Sequence, residues 1–336
     1  MNNQPSRGNI ALKPYKLIPF PKEKPPLDKP IGHHKYYEKR IHGTLHLCLT
    51  VETAVHVSTG IVAMGSDIGQ NRIPLIKTMM QDGDGKSLII PGSSFKGVVR
   101  SIYEAITNST LGVVTGKYSN KIPRDRLPCK NKESLCPASR VFGAMDWQGL
   151  IDFNDAKCQS VSSPGFMTSL YSPRPTQSKK YYTNNRVAGR KFYYHADKAI
   201  SKGENRGIAV QQAAKKLNFT TQLGFKNLTE AELGVLLIAL GQDTDYPMAL
   251  KIGAGKPIGM GTMTVKVTGM NKPQNIRDRY LNYNTESQSL TEQELQQTIS
   301  SAIAAAHQNL IQTPQLIELQ KVLAYPTNRK APDGNY

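Results

Sequence analysis

From Gly43 onward the apolar residues Leu45, Leu47, Leu49 and Val51 fall on every second position, the pattern of a strand buried on one face. The period then changes in a fixed order along the chain. Phe95, Val98, Val99, Ile102 and Ile106 recur at three and four residues, which predicts an amphipathic helix with Ser93 or Ser94 as its cap. Leu150, Ile151 and Phe153, within Gly149 to Asp155, read as a second strand, and Phe219, Thr221, Leu223 and Phe225 as a third. Thr229 with Glu232 three residues later forms a capping box ahead of Leu233, Leu236, Leu237 and Leu240. A last strand runs from Gly261 to Val267.

The order strand, helix, strand, strand, helix, strand is that of an α+β, ferredoxin-like domain, which is also the order of the RNA-recognition module. This core spans residues 43–268, with insertions at about 107–139 and 162–215. Residues 1–42 are rich in Pro and Lys and read as an extended basic arm. Residues 269–336 form a tail whose stretch from Leu290 to Val322 has helix-forming composition.

Charge narrows the partner. Lys and Arg number 43 against 25 Asp and Glu, a formal net charge of +18 spread along the chain, so a polyanion is expected. A membrane partner is not expected, because no long apolar run and no basic amphipathic helix is present. Met1 to Pro14 lacks the apolar core of a signal peptide, and four cysteines are too few for a disulfide framework, so a cytoplasmic location is expected.

Two glycine-bearing motifs suit phosphate. Gly92, Ser93 and Ser94 stand at a helix start, with Lys96 and Arg100 on its first turns. The bland alternative is an ordinary helix with exposed cations, and the Gly-Lys-Ser/Thr ending of a P-loop is missing. Gly253, Gly255 and Gly259 surround Lys256 in the run Gly253 to Gly261, where the backbone can approach a ligand closely; a turn-rich connection without ligand is the alternative. The strand-before, helix-after setting of a dinucleotide fingerprint is lacking.

Between them lies a basic, aromatic stretch. Lys179, Lys180, Tyr181 and Tyr182, then Arg190, Lys191, Phe192, Tyr193, Tyr194 and His195, could bind phosphates and stack bases, with a hairpin packing its tyrosines on the core as the competing reading. Cys129, Cys136 and Cys158 raise zinc, but Ser139 stands where a Cys-x-x-Cys pair would place a second thiolate, so free or buried thiols are favoured. His33, His34 and the other histidines show no metal or acid–base spacing.

Three motifs taken in order resemble the RAMP superfamily: Ile90-Pro91-Gly92-Ser93-Ser94-Phe95-Lys96-Gly97; Cys136-Pro137-Ala138-Ser139-Arg140-Val141-Phe142-Gly143 with Gly149-x-Ile151-x-Phe153-x-Asp155-Ala156; and Gly253-x-Gly255-Lys256-Pro257-x-Gly259-x-Gly261. Within it they are similar to the backbone subunits of type III CRISPR effector complexes. Leu12 to Pro19 and Gly189 to His195 resemble one branch, type III-D-like. The resemblance implies stacking along a CRISPR guide RNA, presentation of paired target RNA, and contact with other subunits of the complex.

In catalytic relatives, an Asp on the loop between the first strand and the Ile-Pro-Gly-Ser-Ser motif cuts target RNA with a divalent cation such as magnesium. Here that loop, Ser58 to Gly85, offers Asp67, Asp82 and Asp84, while Arg72 stands where the family Asp aligns. Asp67 is the catalytic candidate; a solvated turn aspartate is the alternative. Three functions therefore remain open: a binding subunit that also cleaves, a purely structural subunit, and a guide-RNA-processing endoribonuclease.

Overall fold

The computed structural model describes residues 13–83, 85, 87–168, 181–200, 207–273, 281 and 288–332. The labelled elements are, in chain order, β1 (Tyr15–Pro19), β2 (Ile41–Val51), β3 (Ser58–Met64), β4 (Leu75–Met79), β5 (Leu88–Ile90), α1 (Gly92–Ile106), α2 (Pro137–Phe142), β6 (Ile151–Phe153), β7 (Ala156–Cys158), β8 (Ser163–Thr168), β9 (Gly189–Tyr193), β10 (Gly207–Gln212), β11 (Asn218–Leu228), α3 (Glu230–Ala239), β12 (Leu250–Lys251), β13 (Thr262–Lys272), α4 (Glu292–Asn309) and α5 (Thr313–Leu323).

The main sheet is antiparallel in the order β12-β13-β2-β11-β7-β5, and β6 also pairs with β11. Reduced to the four core strands, the order is last, first, third, second, which is the ferredoxin-like topology expected from the sequence. Leu47 lies opposite Thr221 on one side and Val267 on the other. Leu45, Leu47, Leu49 and Val51 are all buried in the core that α1 and α3 cover, as their alternation requires. Thr229 and Glu232 make both bonds of the capping box, so α3 starts where the sequence places it. The tail helix α4 packs on α3, and α5 packs on α1 and β1.

Three expectations are corrected. Neither Ser93 nor Ser94 caps α1: Pro91 is the N-cap, and the Gly92 amide donates to Asp155 Oδ1 at 2.8 Å. A carboxylate from beyond β6 thus satisfies the first free amide of the helix. Residues 58–79, read as a loop, are largely the hairpin β3-β4, which joins β8 and β10 in a second sheet of order β8-β10-β4-β3.

The third correction concerns the arm. Its residues from 13 on are knit to the body: β1 pairs with β9, Tyr15 opposite Tyr193 and Pro19 opposite Gly189. Arg126, only 1% exposed, donates to the carbonyls of Pro21 and Glu23 and to Asn108 Oδ1. A guanidinium has enough donors to tie an arm and an inserted segment together at one point.

Candidate nucleic-acid interface

At the start of α1 the chain is tightly built. A Cβ on Gly92 would lie 2.0 Å from the Phe153 carbonyl oxygen, so glycine is required by the contact with β6. Ser93 is exposed and Ser94 half-buried, which leaves both hydroxyls on the outer turn. Lys96 donates to the Ile151 carbonyl at 3.3 Å, and burial, then the neighbouring charge of Arg100, lower its pKa. Arg100 donates to Glu104 Oε1 at 2.7 Å.

Glu104, buried on α1, holds a second arginine as well. Arg190 donates to its Oε2 at 2.5 Å and to the Thr110 carbonyl at 2.7 Å, with its side chain 9% exposed. Lys191 stands over the rings of Tyr15 and Tyr193, 4.1 and 4.8 Å from their centroids, and donates to the Tyr181 hydroxyl. Arg100, Arg190 and Lys191, three of the cations expected on RNA, therefore have partners within the fold, and Tyr181 and Tyr193 pack against Tyr15 of β1. Lys179 and Lys180 lie outside the described residues.

The glycine-rich loop is a rigid turn. Gly253, Gly255, Gly259 and Gly261 all have positive φ, between 70° and 90°, a region L side chains rarely adopt. Ala254 N donates to His56 O and Gly261 N to Ala54 O, both at 2.9 Å, which pins the loop to the segment after β2. Its Ile258 and Met260 pack with Met167 and Val210 of the second sheet. The glycines are thus explained by local conformation, and within the turn Lys256 is half-buried, with burial lowering its pKa.

Sequence reasoning missed Lys251. It pairs with Thr262 across β12 and β13, while the flanking Leu250 and Met263 enter the helical core, so Lys251 and Thr262 point to the opposite face. There Lys251 is 5% exposed, and its Nζ donates to Thr262 Oγ1 at 3.3 Å. Burial, with the like charge of Lys256, pulls its pKa down to about 7. Only a strand register turns this lysine to the face away from the helical core, and the two-residue β12 gives no periodic signal.

His195 closes the cluster. Its Nε2 lies 3.0 Å from the Ala249 carbonyl, which can only accept, so Nε2 carries the proton and Nδ1 accepts from Thr262 Oγ1 at 3.0 Å. Burial, with Lys251 nearby, holds its pKa down to about 3. An imidazole neutral at ordinary pH with both nitrogens bonded is a poor acid–base catalyst, which weighs against His195 as the histidine of a processing nuclease.

Asp67 occupies an exposed helical turn, Ser66–Ile68, at the tip of the β3-β4 hairpin, with Ser66 Oγ at 3.3 Å. Arg72 is exposed on the same tip. Asp82 accepts from the Ser87 amide at 3.1 Å in a turn, and Asp84 lies outside the described residues. Apolar Ile61, Val62, Met64 and Leu75 are exposed along this hairpin.

Among the described residues no three His, Cys, Asp or Glu converge on a metal position. Asp67 could give a divalent cation one oxygen, so the other ligands would have to come from RNA and water. At the cysteines, the Thr110 hydroxyl lies 3.5 Å from Cys129 Sγ and 3.2 Å from Cys136 Sγ, and Cys136 Sγ lies 3.3 Å from Ser139 Oγ. Two thiols and two hydroxyls do not fit a structural zinc tetrahedron. Cys158 sits apart in the sheet ladder, opposite Leu88.

Comparison with known proteins gives one family. The model of the RAMP superfamily matches residues 48–264. No curated protein matches the sequence. Among solved structures, a chain in a cryo-EM structure of the Type III-B Cmr-beta bound to cognate target RNA aligns at 16% identity with a TM-score of 0.37. The alignment covers 67% of this chain and 59% of that one. No helix among the described residues is long and apolar enough to cross a membrane.

Proposed function

The chain belongs to the RAMP superfamily, and from that premise we propose that it is a guide-RNA-binding backbone subunit of a type III CRISPR effector complex, working in the cytoplasm beside other subunits. The observation that carries this reading is the glycine-rich loop: a conformationally fixed turn that carries Lys256, with burial depressing its ammonium group and that of Lys251. A phosphodiester supplies the charge this site lacks. Ser93, Ser94 and Lys96 on the first turns of α1 give a second contact surface, where Pro91 is the N-cap and neither serine caps the helix.

Target RNA would meet the β3-β4 hairpin, whose exposed apolar side chains flank Asp67. In this reading Asp67 orients the ribose 2′-OH next to the scissile phosphate; the 2′-OH gives its proton to water as the 2′-oxygen forms the new P–O bond, and the 5′-oxygen leaves with a proton taken from water. A divalent cation such as magnesium, when bound, supplies charge neutralisation at that phosphate. A second reading, a structural subunit without cleavage, is favoured by Arg72 at the position aligned with the family Asp.

The test is assembly with guide RNA followed by addition of target RNA. The RNA-binding reading expects guide retention by the wild type and weakened retention by Lys96→Ala with Lys256→Ala at unchanged melting temperature. The cleavage reading expects one target cut that disappears in Asp67→Ala.

A further inference from the structure

We propose that Cys129 and Cys136 form a reversible modification site, closed to a disulfide by a hydroperoxide and reopened by a dithiol. The inference is independent of the RNA-binding reading and concerns the inserted segment between α1 and α2.

That segment brings the two thiols together. The Cys136 amide donates to Cys129 Sγ at 3.4 Å, so the Cys129 side chain already lies against the backbone of Cys136, the close approach a disulfide needs. The Thr110 hydroxyl lies 3.5 Å from Cys129 Sγ and 3.2 Å from Cys136 Sγ, which places both sulfurs around one group. Cys136 is buried and Cys129 half-buried, so a small oxidant reaches the pair from the Cys129 side. Cys48 and Cys158 stand apart in the main sheet, opposite Thr220 and Leu88.

Polar groups converge on Cys136. The Ser139 amide donates to its sulfur at 3.4 Å, and Ser139 Oγ lies 3.3 Å away, beside the Thr110 hydroxyl. Contact with the Cys129 thiol, then these groups, holds the Cys136 thiol below its ordinary value, while the same contact raises that of Cys129. The pair is thus a thiolate beside a thiol. A cysteine kept for packing alone, a small apolar residue, explains the burial of Cys136 but none of these donors.

The chemistry balances within the pair and the oxidant. The Cys136 thiolate attacks one oxygen of hydrogen peroxide, the O–O bond breaks, and the departing hydroxide takes a proton from solvent, leaving a sulfenic acid. Cys129 sulfur then displaces the sulfenic hydroxyl, which leaves as water with the Cys129 proton, and the S–S bond forms. The thiols give up two electrons, and the peroxide is reduced to two waters.

The bridge closes the loop that holds the N-terminal arm. Within that loop Leu135 exchanges backbone hydrogen bonds with Asp28, and Glu133 pairs with Lys29 at 2.6 Å. Just beyond it Arg140 pairs with Asp28. Oxidation therefore fixes the platform on which the arm rests.

The experiment uses the full chain, reduced, freed of reductant and exposed to a modest excess of hydrogen peroxide. Intact mass should fall by two hydrogens, free thiols should fall from four to two, and peptide mapping should join Cys129 to Cys136. Dithiothreitol should restore the thiols. The bridged chain should melt roughly 5 °C higher than the reduced one. Cys129→Ser should stop at a sulfenic acid on Cys136, trapped by dimedone, and Cys136→Ser should leave Cys129 unmodified under the same exposure.

Four retained thiols, a bridge to Cys48 or Cys158, or oxidation past the disulfide overturns the site, and these readouts need no variant. Modification of Cys129 in Cys136→Ser overturns Cys136 as the attacking sulfur. A bridged chain that melts no higher than the reduced one overturns the hold on the arm.

Discussion

Arg190 reaches across from β9 to Glu104 on α1 and donates to its buried carboxylate at 2.5 Å, while Arg100 takes the other oxygen at 2.7 Å. One carboxylate thus holds two of the arginines that the sequence offers to RNA. Glu104→Gln leaves both guanidinium groups without their counter-charge and should destabilise the fold by about 3 kcal/mol or more, read by chemical denaturation. Arg190→Ala should likewise cost stability first; a variant with wild-type stability and lost RNA affinity would place Arg190 on the nucleic acid.

Gly92 fixes the junction between α1 and β6. Gly92→Ala puts a methyl group 2.0 Å from the Phe153 carbonyl, which backbone must shift to relieve. A loss of roughly 1–3 kcal/mol is expected. An unchanged melting temperature would show that the junction has slack the geometry does not reveal.

Much of this core is legible in the sequence, for reasons that particular residues make plain. Leu45 to Val51 alternate because one face of β2 is buried, and Thr229 with Glu232 marks α3 because capping chemistry is local. The second sheet is not legible. Every residue of β3 except Ala63 is exposed, so no apolar alternation marks it, and β4 pairs in parallel with β10, Ile76 opposite Ala209, far along the chain.

The site was legible only in part for the same reason. Its glycines announce a turn, but the acid that holds Arg100 and Arg190, and the buried Lys251 opposite Thr262, are placed by register and packing between separate segments.

Stability should depend on pH through His195 and Lys251. His195 has a folded pKa of about 3, below its ordinary value, so the unfolded chain binds the extra proton and stability falls as pH drops from about 6.5 towards 3. Lys251, depressed to about 7, is neutral in the folded chain while still charged in the unfolded one, so stability rises as pH increases from about 7 towards 10. Denaturation across pH checks both; Lys251→Met should flatten the upper limb, and His195→Gln the lower.

Asp67→Ala should abolish one cleavage of bound target RNA and leave guide binding and assembly intact, because the side chain stands on an exposed turn outside the core. Arg72→Ala should then weaken target binding mildly without changing the cut. Normal cutting by Asp67→Ala at every site would leave the structural-subunit reading.

The most direct test of an RNA-binding role is the affinity of the full chain for single-stranded RNA as salt is raised. If Lys256, Lys96 and their neighbours hold phosphates, each contact releases a counterion, and three contacts alone weaken binding about 20-fold between roughly 50 and 200 mM salt. Affinity should fall by at least that much, alike for unrelated sequences, since phosphate contacts carry no base information. A flat salt titration, or strong binding to only one sequence, would contradict backbone binding by this surface.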